Sequence, residues 1–322
     1  MSILASWFGL ASPAFLRKKG IVGMNRRNVE LIARNNPRHL YPNVDDKYLT
    51  KSLCGKHGIA VPQLLGVCRI QRHIRELEEF LRPLSEFVIK PAQGSGGKGI
   101  LVIAGRDGDD YIKPSGHKVT HEELCRHVSN ILSGLYSLGG KPDTAMIEDR
   151  IQFSDDFHGF SYEGVPDIRV IVYKGYPIMS MTRLSTSASD GKANLHQGAV
   201  GVGLHMATGE ALHAVQFGRP LLLHPDTGVA LSTLKVPHWE DILLLAARGY
   251  EVSGLGYLGV DIVIDRYRGP QLLELNARPG LAIQVANGDG LAHRINFVDQ
   301  SPQGLAPVER VERILGYWRK HL

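Results

Sequence analysis

Apolar positions along the chain fall into two patterns: short strand-like runs bounded by glycine or polar turns, and longer stretches of helical period. Phe87-Val88-Ile89-Lys90 and Ile100-Leu101-Val102-Ile103 flank a glycine-rich turn, which predicts a hairpin. A second hairpin is expected from 168–173 and 176–181 around Lys174-Gly175, and Ala145-Met146-Ile147-Glu148 reads as a further strand. A third pairs Gly259-Val260-Asp261-Ile262-Val263-Ile264 with Leu272-Leu273-Glu274-Leu275-Asn276 across a polar turn. One helix is expected to start at Asp45-Asp46, bury Leu49 and Leu53 and stop at Gly58, and a charged helix to follow over 71–81. Thr120-His121-Glu122-Glu123 is a capping box, with Leu124, Val128, Ile131, Leu132 and Leu135 at helical spacing behind it. Further helices are expected over 237–249 and 307–321, and the polar, glycine-rich stretch 185–203 reads as a mobile loop. Mostly antiparallel strand neighbours mixed with helices predict an α+β protein in lobes rather than a doubly wound sheet.

At 322 residues, 43% hydrophobic and 21% charged, the chain has the composition of a globular protein able to bury a substantial core. Cys54, Cys68 and Cys125 have neither disulfide nor zinc-site spacing, which fits a reducing cytoplasm. The whole positive excess of +5 lies in residues 1–50, with eight Lys or Arg against three Asp or Glu. There the apolar stretch 2–16, with Trp7, Phe8, Phe15 and Leu16, precedes Arg17-Lys18-Lys19. It is too short to span a bilayer, and its charge follows the apolar part, the reverse of a secretory signal. A packed or oligomer-forming helix interrupted near Pro13 is expected, with peripheral membrane contact as the competing reading and a homo-oligomer as the expected assembly. No nucleic-acid-binding motif is present.

Side chains two apart on a strand share a face, so Glu274 and Asn276 point together, and a turn near Tyr267 sets Asp261 opposite them. Three oxygen donors of this kind suit a hard cation such as Mg2+ beside substrate phosphates, although polar residues on a wet hairpin face would look the same. The turn from Pro91 to Gly99 contains GxGxxG, but a β run follows it where a dinucleotide fingerprint needs a helix. Gly99 after Lys98 also excludes a Walker loop. A flexible hairpin loop folding over phosphates remains, with Lys90 at the end of the preceding strand as a point charge.

The order Asp46-Lys47, Val88-Ile89-Lys90, Ile147-Glu148-Asp149, Asp167-Ile168-Arg169, Asn194-Leu195-His196-Gln197-Gly198, Gly259-Val260-Asp261-Ile262 and Glu274-Leu275-Asn276-Ala277-Arg278-Pro279-Gly280 resembles the ATP-grasp carboxylate-amine ligases over about 45–295. The RimK-type α-L-glutamate ligases and their relatives are the most similar branch, and 1–45 stands where that branch has a longer pre-ATP-grasp domain. The resemblance implies an ATP-grasp fold over 46–322, with two α+β lobes (about 46–148 and 149–322) and the nucleotide between them. It implies that Lys47 and Lys90 hold α- and β-phosphates, and that Gly94, Ser95, Gly96, Gly97 and Gly99 cover the triphosphate. Glu148 and Asp149 would sit at the adenine, Asp167 near the ribose, and Lys192 and Asn194 near the phosphates. Asp261, Glu274 and Asn276 would bind two Mg2+ ions, with Mn2+ as a substitute. Arg169 and Arg278 are candidates for the transferring phosphate or the substrate carboxylate, and Arg183 is a further one.

These groups suit a two-step reaction between small-molecule or peptide substrates. A carboxylate attacks the γ-phosphate of MgATP to give ADP and an acyl phosphate, and an amine then displaces phosphate to form an amide, with glutamate a candidate reactant. The alternatives are an ATP-binding pseudoligase without turnover and an ATP-grasp kinase.

Overall fold

The computed structural model describes residues 11–94, 96–137 and 139–320. The chain forms two compact units: a smaller one of 42–152 with 265–267, and a larger one holding the remaining residues, those before Pro42 included. In the smaller unit, β1 (Leu64–Cys68), β2 (Phe87–Pro91), β3 (Leu101–Ile103) and β7 (Ala145–Glu148) form an antiparallel sheet of order β1-β7-β2-β3. β4 (Gly105–Asp107), β5 (Asp110–Ile112) and β6 (Lys118–Val119) form a small sheet of their own. The helix His121–Leu132 packs Leu124, Val128 and Ile131, all fully buried, into a core with Phe87, Ile89 and Ile147. Its start is fixed as the sequence predicts: Thr120 Oγ1 accepts from Glu123 N, and Glu123 Oε2 accepts from Thr120 N. Leu135 lies beyond that helix and is exposed. The helix Lys47–Lys56 is capped by Asp46, which accepts from Leu49 N, but it buries Thr50 and Cys54 while Leu49 and Leu53 are half-buried.

The larger unit is built on a seven-stranded sheet of order β12-β11-β10-β9-β8-β13-β14. Its strands are β8 (Asp167–Tyr173), β9 (Tyr176–Leu184), β10 (Val200–Leu204), β11 (Ala211–Gln216), β12 (Arg219–Pro220), β13 (Tyr257–Asp265) and β14 (Gly269–Asn276). The helix Trp239–Ser253 is buried along much of its circumference, including Ile242, Leu243, Ala246 and Ala247, rather than along one stripe. The stretch expected to be a mobile loop is tied down. Ser185 and Thr186 are fully buried, Thr186 Oγ1 donates to Gly198 O at 2.9 Å, and Val200–Leu204 is an interior strand whose Val200 and Val202 are fully buried. Glycines alternating with valines hid that strand from its composition.

The segment before Pro42 packs into this larger unit. Pro13 opens the helix Pro13–Lys18, capped by Ser12; the part of the expected helix that would precede it, residues 1–10, lies outside the described residues. Gln284 bonds Val22 through both amide atoms, its Oε1 accepting from Val22 N at 2.8 Å and its Nε2 donating to Val22 O at 3.0 Å. Asn36 donates to Tyr257 O and Ala277 O and accepts from Tyr257 N. Gly290 lies so close to Gly20 that a Cβ there would stand 2.0 Å from the Gly20 carbonyl carbon. Among the described residues no helix is long and apolar enough to cross a membrane.

Candidate active site

In the smaller unit a buried carboxylate gathers two lysines. β2 pairs with β7 so that Val88 stands opposite Glu148 and Lys90 opposite Met146, which puts Lys90 and Glu148 on one face. Lys90 Nζ lies 2.7 Å from Glu148 Oε2. Lys51, from the helix Lys47–Lys56, faces Oε1 at 2.9 Å without hydrogen-bond alignment, and it also donates to Pro62 O. All three side chains are almost wholly buried. Burial alone would raise the Glu148 carboxyl, but the ammoniums of Lys90 and then Lys51 outweigh it and hold the group below the ordinary glutamate value. Burial, with the like charge of Lys90, lowers Lys51 against the pull of Glu148. Glu148 thus fixes the lysines through its side chain, and the cluster carries one positive charge in excess. Lys51 escaped the sequence reading, although its place one helical turn after Lys47 puts both on one face.

Lys47 stands at the mouth of the glycine turn. Its N–H donates to Ala92 O at 2.9 Å and its Nζ to Gly94 O at 2.7 Å. Gly96, Gly97 and Gly99 have φ of 63°, 74° and 76°, which a side chain would strain; Ser95 lies outside the described residues. The far end of the turn is anchored, since His127 Nε2 meets Gly99 O at 3.0 Å and the Tyr136 ring packs where a Gly99 side chain would be. Asp149 N donates to Gln63 O at 2.9 Å.

In the larger unit the strand registers set Asp261 opposite Arg169 and Asp167 opposite Arg183. Arg169 grips Asp261 with a fork, Nε to Oδ1 at 2.7 Å and Nη2 to Oδ2 at 2.5 Å. Arg183 forks onto Asp167 and reaches Asp261 Oδ2 with Nη2 at 2.9 Å, and Asn276 Nδ2 donates to the same oxygen at 3.3 Å. Burial pushes both aspartates up. At Asp261 the charges of Arg169 and Arg183 outweigh it and hold the group ionised; at Asp167 the neighbouring Asp261 charge adds to burial, against the pull of Arg183, and leaves the group raised. Asp261 therefore accepts four N–H bonds, three on Oδ2 and one on Oδ1. The structure brings Asp261, Asn276, Asp167, Arg169 and Arg183 together, whereas the sequence reading set Asp261 with Glu274 and Asn276, Asp167 apart at the ribose and the arginines at the substrate; here the arginines engage the aspartates themselves. Glu274 is half-buried two positions before Asn276 on β14.

The remaining candidates are spread along the larger unit. Arg278 is exposed, with Cζ 5.0 Å above the Tyr41 ring. Lys192 is exposed and pairs with Asp190 at 2.9 Å. Asn194 caps the turn Leu195–Gln197, its oxygen accepting from His196 N at 3.0 Å. Among the described residues no three His, Cys, Asp or Glu side chains form a metal-holding group. A cation site here rests on two acids and an amide. Those are hard oxygen donors suited to Mg2+, and at Asp261 it is Oδ1, with one N–H donor against three on Oδ2, that keeps room for a cation.

A profile of sugar-transfer associated ATP-grasp proteins matches residues 26–300. The chain belongs to the sugar-transfer associated ATP-grasp family. The match begins inside the N-terminal segment and ends before the helix Pro307–Arg319. It establishes the ATP-grasp superfamily that the motif order pointed to. No protein of curated function matches the chain in sequence. Among solved structures, the ATP-grasp ligase PsnB complexed with a minimal precursor is similar at 13% identity, over 88% of this chain and 62% of that one, with a TM-score of 0.44. D-alanine–D-alanine ligase from Bacillus anthracis is similar at 11% identity, over 89% and 71%, with a TM-score of 0.45. D-cycloserine synthetase DcsG is similar at 17% identity, over 88% and 73%, with a TM-score of 0.41. This chain thus spans about three fifths of the length of PsnB.

Proposed function

We propose that this sugar-transfer associated ATP-grasp protein is an ATP-dependent ligase that joins a carboxylate to an amine through an acyl phosphate, one reactant being part of a saccharide. The observation that carries the reading is the buried Lys51–Glu148–Lys90 cluster with Lys47 at the glycine turn, an excess positive charge beside backbone that glycine leaves open. Such a site suits a phosphate chain, and the lysines would take the α- and β-phosphates. Asp261, Glu274 and Asn276 would hold the Mg2+ ions, which neutralise the β- and γ-oxygens when bound; Mn2+ would substitute. As Asp261 turns to a cation, Arg169 or Arg183 is released as a fork for the γ-phosphate or the substrate carboxylate. The saccharide comes from the family's description, and glutamate is the amino acid that the RimK-type resemblance favours as acid or amine.

The hold of two guanidiniums on Asp261 favours a second reading, a protein that binds ATP without turning it over. ADP release measured with amino acids paired with amino sugars and uronic acids, and mass spectrometry of the products, separates the two. The ligase reading expects ADP only when acid and amine are both present, and a product equal to their sum less one water. Nucleotide binding without ADP release under any pairing refutes it, and a stable phosphorylated product indicates a kinase.

A further inference from the structure

The hairpin at the edge of the larger unit's sheet holds a residue that its turn does not call for. β11 and β12 pair Gln216 with Arg219, leaving Phe217 and Gly218 as a two-residue turn with φ of 51° and 74°. This is the geometry in which Asn, Asp or Gly ordinarily takes the first position. A side chain unable to bond its own backbone is strained in this conformation, because its Cβ crowds the following carbonyl oxygen. Burial does not compensate, because Phe217 is 66% exposed.

One edge of the ring lies against Gly198. Its Cζ stands 2.9 Å from where a Cβ on Gly198 would be, Gly198 has a φ of 106°, and Gln216 Nε2 donates to Gly198 O at 2.8 Å. Thr186 Oγ1 donates to the same oxygen. Gly198 ends the loop that carries Lys192, Asn194 and the exposed His196 and Gln197. An apolar face thus stands at solvent beside the loop of candidate phosphate contacts, and local strain at an exposed aromatic is a reason to look for a ligand.

We propose that Phe217 is a stacking platform for the pyranose ring of a saccharide substrate, presented to the loop that carries Lys192 and Asn194. This rests on the reading of a saccharide-linked ligase. A pyranose has a C–H face that an aromatic ring covers and a rim of hydroxyls that need polar partners, which His196, Gln197 and Arg219 supply on the two adjoining turns.

Saturation-transfer NMR on the full chain tests it, with glucosamine and glucuronic acid as probes and MgADP as reference. Phe217→Asn suits the turn better than phenylalanine and so preserves the fold; Phe217→Trp keeps a platform. The expected result is sugar signals from the wild type that fall at least fivefold in Phe217→Asn and persist in Phe217→Trp, with ADP signals equal in all three. Sugar signals absent from the wild type, or equal in Phe217→Asn, overturn the platform whatever ADP does. So does an ADP signal that falls with the aromatic ring, since the ring then serves a nucleobase. Absent ADP signals beside the expected sugar pattern count against the ligase reading alone.

Discussion

Replacing Glu148 by glutamine keeps its shape and removes the one charge that holds Lys51 and Lys90 together. With Nζ–O separations of 2.9 and 2.7 Å, each ammonium is attracted by roughly 5–6 kcal/mol at an effective dielectric of about 20. Desolvation of the buried ions offsets much of that, and breaking a buried pair from one side costs about 3–5 kcal/mol because a charge is left uncompensated. Here two like charges are left. Glu148→Gln is therefore expected to lose about 3–5 kcal/mol in urea unfolding at pH 7, which for this length is a melting shift of about 4–7 °C. Because the folded protein holds Glu148 below its ordinary value near pH 4.5, its contribution is present above that pH and is lost as the pH falls through the folded value. The gap between wild type and variant should narrow in acid. Lys51→Met in the Glu148→Gln background should recover at least about 1 kcal/mol, since one ammonium then stands alone. A loss under 1 kcal/mol at pH 7, or a gap constant from pH 7 to pH 3, would refute the claim that Glu148 restrains two buried cations.

Three further outcomes are expected. Glu274→Gln should abolish ADP release while urea unfolding stays within about 1 kcal/mol of wild type, as befits a half-buried side chain, and normal turnover would remove Glu274 from the metal site. Lys192→Ala should raise the KM for ATP at least fivefold with no change in melting temperature, because its ion pair with Asp190 is an exposed one; an unchanged KM sinks the phosphate role. Asn36→Ala leaves three buried backbone groups of Tyr257 and Ala277 without their partner, so a loss of about 2–4 kcal/mol is expected in urea, and a loss under 1 kcal/mol would show that water replaces the amide.

Local signals were legible. The cap at Thr120 and the strands Phe87–Pro91, Ala145–Glu148, Asp167–Tyr173 and Tyr176–Leu184 follow from turn chemistry and apolar runs that depend on few distant residues. Leu64–Cys68 was missed because its first four residues are all half-buried and leave no alternation to read. Thr50 and Cys54 displaced Leu49 and Leu53 from the buried face because the helix packs by its position under Pro62 and Asn43, which the sequence does not state. Motif order located Lys90, Glu148, Arg169 and Asp261 as chemistry. That Glu148 would bind Lys51, and Asp261 two guanidiniums, follows only from strand register and helix placement, which pair residues such as Arg169 and Asp261 across 92 positions.

The Gln284–Val22 and Asn36–Tyr257 bonds join parts of the chain 262 and 221 positions apart. Synthesis at about 5–20 residues per second separates Val22 from its partner by roughly 10–50 s. During that interval the smaller unit, continuous from Pro42 to Gln152 apart from a three-residue return, has emerged entire and can collapse by itself. The segment before Pro42, made ahead of the rest of the larger unit, is among the last to reach its place. Its apolar residues Leu31 and Ile32 stay without their final cover for most of translation. A nascent chain of this protein therefore offers a chaperone a defined early target, and a release from it that awaits residues near Gly290.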